Sequence, residues 1–262
     1  MTRKIKRAKD FEIILTLKSD AFIRPPREAQ RNWLLNRTLR EWTDDLRALD
    51  SAASRFAAGG QHNLPNDMEH ADLSDGQIME DWQMPLMEAM AEIAARSGGD
   101  VLEVGFGRGV SASLIQQHGV RSHSIIECNP SIARRFESWR QSHADRDIHL
   151  VLGKWQDCIA KLGQFDSVFF HTYPLDEEES IELLAESVTF AGHFFPAAAA
   201  RLAPGGTFTY LSNEIDSLSR AHQRLIFRHF ESFRVHLVDL ELPEDVRDAW
   251  WADSMAVIEV TK

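Results

Sequence analysis

One glycine-rich segment, Glu103 to Gly109, constrains the fold of this chain more than any other feature. It reads Glu-Val-Gly-Phe-Gly-Arg-Gly, overlaps the end of the short β-forming run Val101–Val104 and precedes a helix predicted over 111–118. Glycines at alternate positions let a ligand approach the backbone without interference from Cβ atoms. A strand, such a turn and a helix in this order indicate a nucleotide-binding α/β sheet, whose ligand site lies at the carboxyl ends of the strands.

Strands and helices continue to alternate beyond this turn. Further strands are predicted at 124–127, 148–152, 165–170 and 207–211, with helices at 130–142, 155–162 and 176–202 between them. A helix at 75–96 precedes the first strand, and Pro204-Gly205-Gly206 is expected to close the last helix. Two final strands, 235–240 and 256–260, predict a hairpin and an antiparallel edge strand. The pattern predicts a Rossmann-like, mostly parallel seven-stranded sheet with helices on both faces.

The N-terminal segment differs from the rest in charge. The chain has 262 residues and a formal charge of −11, yet residues 1–50 carry 12 basic and 8 acidic side chains. Apolar residues at three- and four-residue spacing predict an amphipathic helix over about 27–56, followed by a break rich in glycine, asparagine and proline at 58–67. We predict a helical extension at residues 1–70, acting as a lid or as a homodimer contact, and an α/β domain at residues 71–262.

The amino-acid composition argues against some classes of partner for this chain. Its excess of Asp and Glu (40) over Lys and Arg (29) repels phosphate backbones, so nucleic acid is not an expected partner. No apolar run reaches the length of a membrane span. The two cysteines, Cys128 and Cys158, form neither a disulfide framework nor a metal motif. We expect a cytoplasmic protein without a metal site.

The cofactor is indicated by an acidic residue that follows the glycine turn. Glu127 lies 22 positions after Gly105, at the end of the second strand, where a carboxylate can accept hydrogen bonds from both ribose hydroxyls of an adenosine. Val110 stands where a dinucleotide motif needs glycine or alanine, which disfavours NAD. The turn therefore favours S-adenosylmethionine, with Glu103 orienting its methionine portion. Trp155 follows the third strand and is expected at the adenine, with a core tryptophan as the alternative.

Four strings of residues resemble guanidinoacetate N-methyltransferase. They are Met79–Met87, Val101–Gly107, Ile125–Asn129 and Thr172–Leu175, and the resemblance extends over roughly residues 75–262. It implies a class I S-adenosylmethionine-dependent methyltransferase domain at 71–262, with an N-terminal segment that folds over the cofactor. The predicted cofactor site comprises Met79, Met87, Glu103, Gly105, Phe106, Gly107, Glu127, Cys128, Lys154, Trp155, Gln156 and His171.

The resemblance fails where that family grips its substrate. Family members hold the guanidinium with a Glu in the tryptophan motif and an Asp before Thr-Tyr-Pro, because a planar cation pairs bidentately with carboxylates. This chain has Gln83 and His171 at those positions. We therefore expect a less cationic acceptor, such as an amide, a heterocycle or a neutral amine.

The predicted reactive groups lie after the fourth strand. His171 and Tyr173 are the candidate catalytic residues, with His171 acting either as a general base or as a pocket wall. The resemblance implies that the acceptor contacts Trp82, Gln83, Tyr210 and Asn213. We expect N-methylation of a small molecule in specialised metabolism. The alternatives are O-methylation, protein arginine methylation and an inactive cofactor-binding protein, with an NAD-dependent oxidoreductase the least favoured.

Overall fold

The computed structural model describes residues 73–174, 188–212, 214–243, 250 and 252–262. Its centre is a seven-stranded sheet with the order β3-β2-β1-β4-β5-β7-β6. Strands β1 to β5 pair in parallel, and β7 is antiparallel to both β5 and β6. The strands are β1 (Asp100–Val104), β2 (Ser122–Glu127), β3 (Ile148–Leu152), β4 (Phe165–Phe170), β5 (Leu202–Leu211), β6 (Ser232–Asp239) and β7 (Ser254–Thr261).

Helices connect the strands and cover the sheet. They are α1 (Asp75–Ile78), α2 (Met84–Ala95), α3 (Val110–Gln117), α4 (Pro130–Gln141), α5 (Trp155–Cys158), α6 (Phe195–Arg201) and α7 (Arg220–Ile226). Short 3₁₀ turns span Asp81–Gln83, Ile159–Lys161 and Phe190–Phe194. This architecture confirms the predicted mostly parallel α/β sheet. Within the described ranges, no helix has the length and apolar character that a membrane crossing requires.

The strands β1, β4 and β7 are buried on both faces, because alternate side chains point to opposite sides of the sheet and both sides are covered. In β4, Phe169 packs with the apolar residues of α2, whereas Val168 and Phe170 pack with those of α6. A third apolar cluster joins Phe106 to Phe136 of α4. Parallel pairing of Val104 with Phe170 holds the ends of β1 and β4 together, and that junction positions the site.

Two predicted helices are interrupted in the structure. The helix predicted over 75–96 divides into α1, a 3₁₀ turn and α2, because Pro85 lies in the first turn of α2 and has no N–H for a continuous helix. The helix predicted over 155–162 becomes α5 and a 3₁₀ turn. Within the described part of 176–202, a 3₁₀ turn precedes α6.

The last part of the sheet also differs from the prediction. Pro204-Gly205-Gly206 lies inside β5 and does not end a helix, and the antiparallel strand β7 is inserted between β5 and β6, so that β6 forms the edge. Helix α7 precedes β6 and was not predicted. The helix predicted over 27–56 and the proposed boundary at residue 70 lie outside the described residues.

Candidate active site

An open cleft lies at the carboxyl ends of β1, β2 and β4. Strand β2 lies on one side of β1 in the sheet and β4 lies on the other side. The strand order therefore reverses at β1, as it does at the ligand sites of open α/β sheets. Both predicted catalytic residues and every predicted cofactor residue except Glu103 line this cleft. The walls are formed by Leu73, Ile78, Met79, Met87, Gly105, Phe106, Gly107, Arg108, Val110, Ser111, Ile126, Glu127, Cys128, Ile132, Gly153, Lys154, Trp155, Gln156, His171, Thr172, Tyr173, Phe190 and His193.

The glycine turn forms the floor of the cleft. Gly105 has φ +93°, and a Cβ atom there would lie 2.5 Å from the carbonyl oxygen of His171. The turn therefore packs directly on the backbone that follows β4, an approach that only glycine permits. Gly109 has φ +75° and forms the N-cap of α3. The alternate glycines noted in the sequence thus serve both the close packing of two strand ends and the entry into a helix.

Glu127 connects the end of β2 to this turn. Its Oε2 accepts hydrogen bonds from the backbone N–H of Phe106 at 2.9 Å and of Gly107 at 3.5 Å, and its Oε1 accepts one from Asn129 N at 2.8 Å. The side chain is buried except where it lines the cleft. Backbone amides hold the carboxylate in one position, and a carboxylate retains lone pairs for further donors.

Aromatic side chains form another wall of the cleft. The rings of Trp155 and His193 have centroids 5.4 Å apart, and His193 lies 4.6 Å from Phe190. Trp155 also meets the buried Phe194 edge-on at 4.9 Å, so it is both a packed tryptophan and a cleft residue. The prediction missed Phe190 and His193 because they lie in a 3₁₀ turn far from any strand end in sequence. The aromatic spacing around them was the only available signal.

His171 follows β4 directly and faces the cleft. Its backbone N–H donates to Val104 O at 3.3 Å, which fixes it beside the end of β1. The surrounding protein desolvates the imidazole and lowers the pKa of His171 from 6.5 to about 4. The side chain is therefore neutral at pH 7 and only a weak base. Tyr173, two residues on, lines the same cleft with 41% of its surface exposed.

Glu103 lies near the end of β1 and is not among the described lining residues of the cleft. It is fully buried beneath the turn, where Ser111 Oγ donates to its Oε1 and His123 Nε2 lies 3.0 Å from its Oε2. The second nitrogen of His123, Nδ1, lies 3.1 Å from Gln116 Nε2. Orientation of the cofactor by Glu103 stays a prediction, since the side chain contacts Ser111, which lines the cleft, but is not itself among the described lining residues. Glu103 joins β1, β2 and α3.

Three of the predicted acceptor contacts lie outside the described walls of the cleft. Trp82 is buried and donates from Nε1 to Glu80 Oε2 at 2.9 Å, and Gln83 ends the 3₁₀ turn before α2. Tyr210 is fully buried, with its hydroxyl 2.8 Å from His222 Nε2. Contact of these three residues with the acceptor stays a prediction, and the side chains of Trp82 and Tyr210 are hydrogen-bonded within the protein. Asn213 lies outside the described residues.

Tyr210 belongs to a row of polar side chains that connects β5 to α7. His222 contacts the Tyr210 hydroxyl through Nε2 and Glu214 Oε2 through Nδ1, the latter at 2.8 Å. Burial, followed by the charge of Glu214, raises the pKa of the Tyr210 hydroxyl well above its ordinary value. The hydroxyl therefore stays protonated, and this row of side chains anchors the loop after β5 to α7.

Charged groups are few in the cleft. Glu127 is the only carboxylate among the described lining residues, and its oxygens already accept bonds from three backbone amides. Arg108 and Lys154 are the lining cations. In the part of the chain that the structure describes, no group of three or more His, Cys, Asp or Glu side chains is arranged to hold a metal ion.

The sequence of this chain matches one protein-family model and several individual proteins. A family model described as guanidinoacetate N-methyltransferase matches residues 51–238. Protein arginine N-methyltransferase 2 of Candida glabrata is 27% identical over 117 residues, which are 40% of this chain and 28% of that protein. The protein of the same name from Kluyveromyces lactis is 25% identical over 166 residues, 57% of this chain and 37% of that protein. The chain thus spans well under half the length of the curated relatives it matches.

Solved structures of methyltransferases are also similar to this chain. N-methyltransferase NodS from Bradyrhizobium japonicum, in complex with S-adenosyl-L-homocysteine, has a TM-score of 0.49 and 14% identity, covering 75% of this chain and 98% of NodS. Precorrin-6y C5,15-methyltransferase from Geobacter metallireducens has a TM-score of 0.49 and 13% identity, covering 76% of this chain and all of that one (100%).

Proposed function

Because the chain belongs to the guanidinoacetate N-methyltransferase family, and so is an S-adenosylmethionine-dependent methyltransferase, we propose that it methylates a nitrogen atom of a small acceptor without a guanidinium group. The observation that carries this proposal is the scarcity of carboxylates in the cleft. Glu127 is the only one among the described lining residues, and three backbone amides already bind it. A buried guanidinium without an anionic partner would lose charge-assisted hydrogen bonds of about 1.5–3 kcal/mol each.

The cleft residues fit S-adenosylmethionine, which supplies an electrophilic methyl group when it is bound. Glu127 is fixed at the end of β2 with an edge toward the cleft, where a ribose needs an acceptor. Gly105 and Gly107 leave the turn open to close approach by a ligand. The aromatic wall of Trp155 and Phe190 offers a flat apolar surface for a nucleobase.

The state of His171 narrows the class of acceptor. With a pKa of about 4, its imidazole cannot take a proton from an ammonium group at neutral pH, but it can accept a hydrogen bond from an N–H. Methyl transfer needs a free lone pair on the attacking nitrogen and close alignment. We therefore propose an acceptor whose attacking nitrogen has a free lone pair at pH 7, such as the imine-type nitrogen of an aromatic heterocycle, with His171 accepting a hydrogen bond from an N–H elsewhere on the same acceptor. A small, non-nucleic partner also agrees with the net charge of −11.

The test compares two substitutions of the same residue. Wild-type protein, His171→Asp and His171→Asn are each assayed with labelled S-adenosylmethionine, guanidinoacetate and a panel of neutral heterocyclic amines. The wild type should methylate members of the neutral panel and not guanidinoacetate. His171→Asp restores an anion where the family has one, and should lower the Kd of guanidinoacetate by about tenfold or more, whereas His171→Asn should not. Turnover of guanidinoacetate by the wild type would refute the proposal.

Protein arginine methylation is the second candidate, because the curated relatives carry that name at 24–27% identity. It requires the same guanidinium recognition, which the described cleft does not provide. Incubation with labelled cofactor and an arginine-rich protein separates the two functions. Label on protein arginine, with no transfer to the small-molecule panel, would favour the second candidate. Transfer to oxygen acceptors would indicate O-methylation, and cofactor binding with no transfer at all would indicate an inactive cofactor-binding protein.

A further inference from the structure

A short segment before α2 forms one side of the cofactor cleft. Leu73, Ile78 and Met79 line the cleft from this side, and Leu73 and Met79 are almost fully buried. The segment comprises residues 73–81 and includes α1. A Cβ atom on Gly107 would lie 3.1 Å from Ile78 Cγ2, so the segment lies directly against the glycine turn. Its position therefore affects how open the cleft is.

Two arginines hold this segment, each in the same way. Arg135 of α4 donates to Leu73 O at 2.6 Å and to Asp75 Oδ1 at 2.5 Å. Arg108 of the glycine turn donates to Met79 O at 3.0 Å and to Asp81 Oδ1 at 2.6 Å. Each guanidinium thus binds one backbone carbonyl and one aspartate, and the pairs lie at the two ends of the segment.

The Arg108 pair differs from the Arg135 pair in its place and exposure. Arg108 lies between Gly107 and Gly109, so its backbone belongs to the turn while its side chain binds the adjacent segment that forms one side of the cleft. The Arg108 side chain is 22% exposed and that of Asp81 is 84% exposed. Water can therefore replace the Asp81 half of the contact at little cost, whereas the half at the Met79 carbonyl is more protected.

We propose that Arg108 and Asp81 form a latch that sets the rate at which the nucleoside cofactor and its product leave the cleft. Arg108 is a positioning residue, which acts through Met79 and the glycine turn. When the latch opens, the segment loses its attachment to the turn beside Met79, and this wall of the cleft is released. The latch serves any methyl acceptor, since it concerns only the cofactor half of the site.

The dissociation rate of S-adenosylhomocysteine tests the latch. We would measure it by surface plasmon resonance on the full chain at low and high ionic strength. Arg108→Met should raise the dissociation rate about tenfold, because the variant loses one charge-assisted hydrogen bond. Asp81→Asn should raise the dissociation rate about two- to threefold, because an exposed ion pair is lost. In the double variant the Asp81 change should add nothing. The dissociation rate of the wild type should increase with salt, and Arg108→Met should abolish that increase.

A matched control separates the latch from general stability. Arg121 forms an exposed pair with Asp100 at 2.6 Å, near the opposite ends of β1 and β2. Arg121→Met should therefore lower the melting temperature without changing the dissociation rate. An unchanged rate in Arg108→Met, or an equal increase in Arg121→Met, would overturn the proposal. Failure of the acceptor assignment would leave product binding intact, so the two proposals fail separately.

Discussion

Substitution of Gly105 by alanine should be far more damaging than substitution of Gly98, although both glycines have positive φ. Gly98 has φ +63°, and a Cβ atom there would meet nothing within 4 Å. Gly98→Ala therefore costs only the left-handed backbone penalty, about 1 kcal/mol. At Gly105, with φ +93°, the added Cβ would lie 2.5 Å from the carbonyl oxygen of His171. This atom belongs to the backbone after β4 and cannot rotate away, so overpacking adds about 1–3 kcal/mol.

The measurement compares the two variants in urea unfolding and in binding of S-adenosylhomocysteine. Gly105→Ala should lower the free energy of unfolding by about 2–4 kcal/mol, and the melting temperature by about 2–4 °C for each kcal/mol. It should also weaken binding about tenfold or more, because the turn must move away from His171. Gly98→Ala lies outside the cleft and should bind normally. Equal destabilisation by the two substitutions, or normal binding by Gly105→Ala, would refute the reasoning.

Two further predictions concern buried polar groups. Tyr210→Phe should lower the free energy of unfolding by about 1–3 kcal/mol, because it leaves buried His222 Nε2 without its partner; product affinity should not change, and a loss of affinity would place Tyr210 in the binding site after all. The pKa of His171 is lowered to about 4 in the folded protein, whereas it is about 6.5 in the unfolded chain. Between these two pH values the unfolded chain binds one more proton than the folded chain, so the free energy of unfolding should fall as the pH falls through this window. His171→Asn should make the unfolding free energy less dependent on pH there, and an unaltered profile would contradict the lowered pKa.

Local signals made the centre of the fold predictable. β3 and β4 begin and end where the sequence indicated, since short apolar runs bounded by polar residues leave little choice of register. Pro130, at the first position of α4, marked that helix start correctly, and Asn129 accepts from Ser131 N at 2.7 Å as its N-cap. The interrupted helix before β1 was less predictable because the apolar spacing of 75–96 concealed the effect of Pro85.

Side-chain direction explains most of the differences at the site. Glu103 and Glu127 both lie at strand ends beside the glycine turn, yet only Glu127 reaches the cleft. Glu103 instead faces Ser111 and His123 under the turn. Tyr210 likewise lies near the end of β5 but points into the core toward His222. Sequence spacing gives the strand end, whereas the alternation of side chains along the strand and the packing of neighbouring helices decide which face a side chain occupies.

The sequence by itself determined the glycine turn and the alternation of strands and helices, because these depend on local backbone preference and residue chemistry. Only the tertiary structure decided that Phe190 and His193 join Trp155, that β7 lies between β5 and β6, and that Arg108 reaches Asp81. Those contacts join residues far apart in the chain. They depend on how packed elements meet in space, which hydrophobic periodicity along one element does not specify.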